Sequence, residues 1–207
     1  MRALGVIDMH GAFGPGGGLA VPGAMEIIPG INKLMIEGWR GENFAAKVGS
    51  YEEHLPGNLY LASTYPNVKP NDRIIVNGMD VYCWIDHGMS GTWECEPLPG
   101  LRVDLFHAIF RKGYDRHTHP YSSMMALFMY GSVETKLTLA QYLKDRGIIE
   151  IIFVGLAFDF CVGESALEAV KLGFKVTVIK SLTGSVFPHT EKAMMEKLIA
   201  AGVEVVD

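Results

Sequence analysis

Apolar residues recur along this chain at two periods, and segments of one period alternate with segments of the other. Ala3-Leu4-Gly5-Val6-Ile7 is a continuous apolar run that stops at Asp8, the pattern of a strand buried on both faces. A Gly/Pro loop, Gly14-Pro15-Gly16-Gly17-Gly18, follows. Residues 24–38 then carry Ile27, Ile28, Ile31, Leu34 and Met35 at helical spacing, with Pro29 inside the first turn. Strands are predicted over 44–48, 105–110, 148–156, 175–179 and 203–206, and helices over 133–146, 161–172 and 190–201. The helix at 133–146 would bury Leu137, Ala140, Tyr142 and Leu143 and end at Lys144, Arg146 and Gly147. Such alternation predicts an α/β fold, a single domain over 1–207 with a central mostly parallel sheet and helices on both faces. Residues 49–100 fit neither period. A loop that long inside a compact domain is usually functional.

Composition narrows the function. Of 207 residues, 49% are hydrophobic and 20% charged, enough apolar material to build a core without a staple. The net charge of −5 lacks the basic footprint that nucleic acid requires. No run of 18 apolar residues predicts a membrane span. Asp8 puts a carboxylate where a signal peptide would keep its apolar core. Cys83, Cys95 and Cys161 are an odd number in a long chain, which argues for free thiols in a reducing, cytoplasmic compartment.

Parallel sheets bind ligands beyond the carboxyl ends of their strands. Asp8, Lys112 and Cys161 all fall at such ends. Cys161 opens a predicted helix, whose N–H groups and dipole favour a thiolate, and a cation from Lys112 would lower its pKa further. Asp8 could take the thiol proton and return it to a leaving group. Each residue alone also has a bland explanation: a turn carboxylate, a solvated lysine, a small core thiol.

The wording around these residues supplies more. Val154-Gly155-Leu156-Ala157-Phe158-Asp159-Phe160-Cys161-Val162, running on through Ser165-Ala166 and Ala169 to Gly173, resembles the nucleophile segment of the nicotinamidase/isochorismatase-like cysteine hydrolases. Val6-Ile7-Asp8-Met9-His10-Gly11-Ala12-Phe13 and Gly16-Gly17-Gly18-Leu19-Ala20-Val21 are similar to that family's opening. Phe110-Arg111-Lys112-Gly113 followed by Tyr121-Ser122-Ser123-Met124 is similar to its lysine segment. The resemblance implies that Cys161 attacks an amide carbonyl to form a thioester, that Asp8 is general acid and base, and that Lys112 holds the pair. It further implies an oxyanion hole of backbone N–H groups at Ala157 and Cys161, a cis peptide at Leu156–Ala157, and a ring pocket walled by Phe13, Trp84, Tyr121 and Ala157.

The middle segment implies a metal. Glu52-Glu53-His54-Leu55-Pro56-Gly57-Asn58 and Trp84-Ile85-Asp86-His87-Gly88 resemble the metal-binding wording of nicotinamidases, with Glu52, His54 and His87 on the ligand positions. A carboxylate and two imidazoles suit a divalent ion, zinc first, with iron or manganese as alternatives. Several residues depart from the family wording. Glu52 replaces aspartate, Glu53 tryptophan, Asn58 the second motif histidine and Gly88 a cysteine, while Phe158 stands for threonine. His10, His107, His117, His119 and His189 match no family position and read as surface or structural; Cys83 and Cys95 read as inert. The implied function is hydrolysis of nicotinamide to nicotinate and ammonia, serving NAD salvage, with pyrazinamide-like amides also accepted and a homo-oligomer as the assembly. Two alternatives stay open: a metal-independent hydrolase of another small amide or ureide, and a non-catalytic small-molecule binder.

Overall fold

Alternation along β1 (Arg2–Ile7) decides how the layers form. Ala3 and Ile7 enter the core on one face of the sheet, and Leu4 and Val6 enter the core on the other. β8 (Glu150–Leu156) repeats this, with Ile151 and Phe153 on the first face and Ile152 and Val154 on the second. Both strands are therefore buried on both sides, as their unbroken apolar runs require. The computed structural model describes residues 1–130 and 133–207.

The remaining elements are α1 (Ile28–Glu37), β2 (Ala46–Glu52), the hairpin β3 (Arg73–Val76) and β4 (Met79–Tyr82), and β5 (Ala108–Lys112). They continue as β6 (Leu127–Tyr130), β7 (Val133–Thr138), α2 (Leu139–Asp145), α3 (Gly163–Lys171), β9 (Lys175–Gly184), α4 (Glu191–Ala200) and β10 (Glu204–Val206). Eight strands make the main sheet in the order β10-β9-β8-β1-β2-β5-β6-β7. Its β10-to-β5 portion is parallel; β6 and β7 are antiparallel additions at one edge. α1 covers one face, while α2, α3 and α4 cover the other. No helix among the described residues is long and apolar enough to cross a membrane.

The predicted helix over 133–146 is corrected. Its first half is β7, and only Leu139–Asp145 is helical. Val133, Thr135 and Leu137 alternate with Glu134 and Lys136, a strand period, and the connection between β6 and β7 is too short for a crossover, so the chain returns antiparallel. Thr138 closes the strand and caps α2 by accepting a hydrogen bond from the Gln141 N–H at 3.1 Å. The irregular middle segment contains the rest of β2 and the separate β3–β4 hairpin. Cys161 precedes α3, inside a wide turn over Phe158–Val162.

β1 and β8 approach closely enough to dictate one glycine. Gly155 has φ +104°, and a Cβ there would sit 2.2 Å from the Ile7 carbonyl oxygen. The Leu156–Ala157 peptide just beyond it is cis. Gly155→Ala should lower stability by about 3 kcal/mol, through a disfavoured φ and a backbone clash; a urea midpoint unchanged from wild type would contradict this packing.

Candidate active site

Four neighbouring strands, β8, β1, β2 and β5, end at one rim and deliver the chemistry there. Asp8 follows β1, Glu52 ends β2, Lys112 ends β5 directly opposite Glu52, and Cys161 lies just past β8. The Asp8 backbone is held at φ 49° while its N–H donates to the Ser50 carbonyl at 2.8 Å. Lys112 Nζ stands 3.0 Å from Asp8 Oδ2, 3.2 Å from Glu52 Oε1 and 3.4 Å from Cys161 Sγ. All four side chains are buried. Asp8, Lys112 and Cys161, far apart in sequence, thus form one cluster.

Burial and charge set the protonation of this cluster. Burial pushes Asp8 up to about 6, against the opposing pull of Lys112. Burial alone would lower the Lys112 ammonium, but Asp8, Cys161 and Glu52 together hold it above the ordinary lysine range. Cys161 is raised well above an ordinary thiol by burial, and the Asp8 and Glu52 charges add to this against Lys112. The expectation of a resting thiolate is therefore corrected. Removal from water outweighs the helix N-terminus and the neighbouring cation, so the proton stays on sulfur until a base removes it.

Glu52 also faces a cluster of imidazoles. Donor atoms of Glu52, His54, His87 and His119 all lie within 4.8 Å of one another. His87 Nδ1 donates to the Ile85 carbonyl at 2.7 Å, and His54 Nδ1 to that of Gly113 at 3.3 Å. Those carbonyls leave the Nε2 lone pairs aimed at Glu52, each at 3.4 Å. Glu52 Oε1 and both Nε2 atoms are buried without a hydrogen-bond partner. Orphaned buried acceptors on one carboxylate and two imidazoles fit a divalent metal ion. Burial would raise Glu52, but Lys112, His119 and His54 hold it well below the usual carboxylate range, so it is an anion.

Phe13, Trp84, Tyr121, Ala157 and Phe160 wall a small chamber of about 10 Å³ between this cluster and Cys161. The Trp84 indole N–H donates to the Tyr121 hydroxyl at 3.1 Å, fixing both rings. Tyr121 and Phe160 also line an outer cavity of about 350 Å³, so they stand between it and the chamber. Asp159 accepts from the N–H groups of Val186 and Phe187 at 3.0 and 2.9 Å, which pins the turn that presents Cys161.

Other residues differ in how well sequence placed them. His107, His117 and His189 are exposed, and His10 is buried and structural, its Nε2 accepting from the Glu52 N–H at 3.3 Å. Burial lowers the His10 pKa to about 3, so this ring is neutral. His119 is a correction: it is in the cluster around Glu52, carried there by the loop after β5, which no local spacing predicts. Glu53, in place of tryptophan, pairs with Arg111 at 2.6 Å beside the two functional strand ends. Gly88 has φ +55°, which suits glycine better than the family's cysteine. Cys83 and Cys95 are free and buried away from the cluster.

A buried thiol, carboxylate and ammonium meet at the rim of a parallel α/β sheet, the arrangement expected of a cysteine hydrolase. Residues 86–207 match the model of the isochorismatase domain, and the chain belongs to that family. A nicotinamidase of Acinetobacter baylyi is 37% identical over 177 residues, 86% of this chain and 78% of that protein. A nicotinamidase/pyrazinamidase structure from Acinetobacter baumannii superposes with a TM-score of 0.88 at 33% identity, covering 100% of this chain and 95% of its own. The pyrazinamidase of Pyrococcus horikoshii in complex with zinc gives 0.74 at 25% identity, covering 100% and 98%.

The ion pairs at the rim carry a testable energetic consequence. In the metal-free protein, Lys112→Ala leaves Asp8 and Glu52 as adjacent buried carboxylates without a counter-ion, and should cost about 3–5 kcal/mol of stability at neutral pH. Urea unfolding at pH 7 measures it; a loss below about 1 kcal/mol would mean that water already screens the cluster.

Proposed function

We propose that this protein hydrolyses nicotinamide to nicotinate and ammonia through a thioester on Cys161. The observation that carries the reading is Lys112 Nζ within 3.4 Å of a thiol, a carboxylate and a second carboxylate on the rim of the ring chamber. The family and its nicotinamidase members support it.

The mechanism follows from the protonation states. Asp8 takes the Cys161 proton as sulfur attacks the amide carbonyl carbon. Lys112 offsets the charge that passes between sulfur and carboxylate without leaving its place. N–H groups of Ala157 and Cys161 receive the carbonyl oxygen as it gains charge. The C–N bond breaks as Asp8 returns the proton to nitrogen, and ammonia departs. Asp8 then takes a proton from water, whose oxygen attacks the thioester; the C–S bond breaks as Asp8 returns that proton to sulfur, and the acid formed leaves as nicotinate and a proton. Phe13 and Trp84 hold the ring, and Tyr121 orients Trp84. Glu52, His54 and His87 would hold a divalent ion, zinc as the first choice, which would supply a Lewis acid for the pyridine nitrogen. Three unpaired thiols fit a reducing cytoplasm, where nicotinate would re-enter NAD synthesis.

Ammonia release from nicotinamide, followed with a coupled dehydrogenase, tests the reaction. Cys161→Ala should lose at least about 10⁴-fold, on the scale of losing a nucleophile; equal rates for wild type and variant would refute the thioester. The pH profile tests the base. Asp8 must be ionised to accept the proton and its pKa is raised to about 6, so kcat/KM should fall as pH drops through about 6. An acid limb near 4, the ordinary carboxylate range, would mean that burial does not raise Asp8.

A further inference from the structure

We propose that His119 is a fourth protein ligand of the metal centre, delivered by a loop that Asn58 clamps. This rests on the metal reading above and extends it. His119 Nδ1 lies 3.7 Å from Glu52 Oε1, and its side chain is 2% exposed. Its ring centroid is 4.8 Å from that of His54 and 5.7 Å from that of His87. Neither of its nitrogens has a hydrogen-bond partner. A neutral imidazole carries one N–H and one lone pair, and both are costly to bury unpaired. His54 and His87 each satisfy one nitrogen at a backbone carbonyl and turn the other toward Glu52. His119 turns its unpartnered Nδ1 to Glu52 Oε1, the oxygen that His54 also faces, so a metal ion there would take the Nδ1 lone pair.

Asn58 explains how the ring arrives. Its Nδ2 donates to the carbonyls of Asp115 at 3.3 Å and Thr118 at 3.2 Å, while its Oδ1 accepts from the Tyr60 N–H at 2.9 Å. The Leu59 N–H donates to the Arg116 carbonyl at 2.8 Å, and Arg116 Nε to that of Pro56 at 2.7 Å. The segment before His119 is thereby sewn to the segment after His54. Only a group with two donors can hold both carbonyls, and a neutral histidine at position 58 has one. The amide at 58 and the imidazole at 119 are thus parts of one arrangement.

The competing role for His119 is a wall of the ring chamber, since it also stacks on Trp84 with centroids 6.1 Å apart. Zinc(II) affinity separates the two. Metal-free wild type, His119→Ala, His119→Gln and Asn58→Ala are titrated against a chromophoric chelator, with metal-free melting curves to establish that each is folded. Wild type should bind one zinc. Both His119 variants should bind at least about tenfold more weakly, the lower end of what even a supporting partner of a ligand costs. Asn58→Ala should fall between. The visible spectrum of the cobalt(II) form should change on losing an imidazole, and excess zinc should restore hydrolysis. Unchanged zinc affinity and an unchanged cobalt spectrum in both folded His119 variants, with a raised KM, would overturn the inference and assign the wall. Asn58→Ala at full affinity would overturn the clamp. A wild type that takes no zinc would overturn the metal reading, and this inference with it.

Discussion

One buried ammonium organises the rim of this sheet. Lys112 sits among Asp8, Glu52 and Cys161, each within 3.4 Å. Two carboxylates removed from water on adjacent strands would repel each other and each lose its hydration. The lysine turns that liability into a set of matched ion pairs. Its position follows from register: Glu52 and Lys112 are direct partners on parallel strands, and β1 lies between β2 and β8. A slip of one residue in any of these strands would send the group to the opposite face of the sheet. The flanking Glu53–Arg111 pair holds the two strand ends from the other side.

Glu52 couples the two halves of the site. One of its oxygens faces Lys112, His54 and His119, and the other faces His87. The same carboxylate therefore belongs to the ion-pair cluster and to the set of candidate metal ligands. The ring chamber lies between these poles.

Much of this was legible in the sequence because it depends on local pattern. Apolar runs marked β1 and β8, and the residues that end such runs fell at the rim; Asp8, Lys112 and Cys161 were found that way. Glu52, His54 and His87 were legible through their wording. His119 was not, because a loop brings it in through the side chain of Asn58, and no period records that contact. β7 reads as helix because Leu137, Ala140, Tyr142 and Leu143 satisfy a helical face, while pairing with β6 is a tertiary fact. The thiol's protonation was also misjudged. A helix start and a cation are visible in sequence; complete burial, which outweighs them, is not.

In the proposed reaction Cys161 carries the acyl group of the substrate. Acid-quenched turnover followed by peptide mass spectrometry reads this directly. Wild type caught with nicotinamide should carry a nicotinoyl group on the peptide containing Cys161, and the label should vanish when turnover is complete. Rapid hydrolysis with no acyl group on that peptide at any quench time would contradict it.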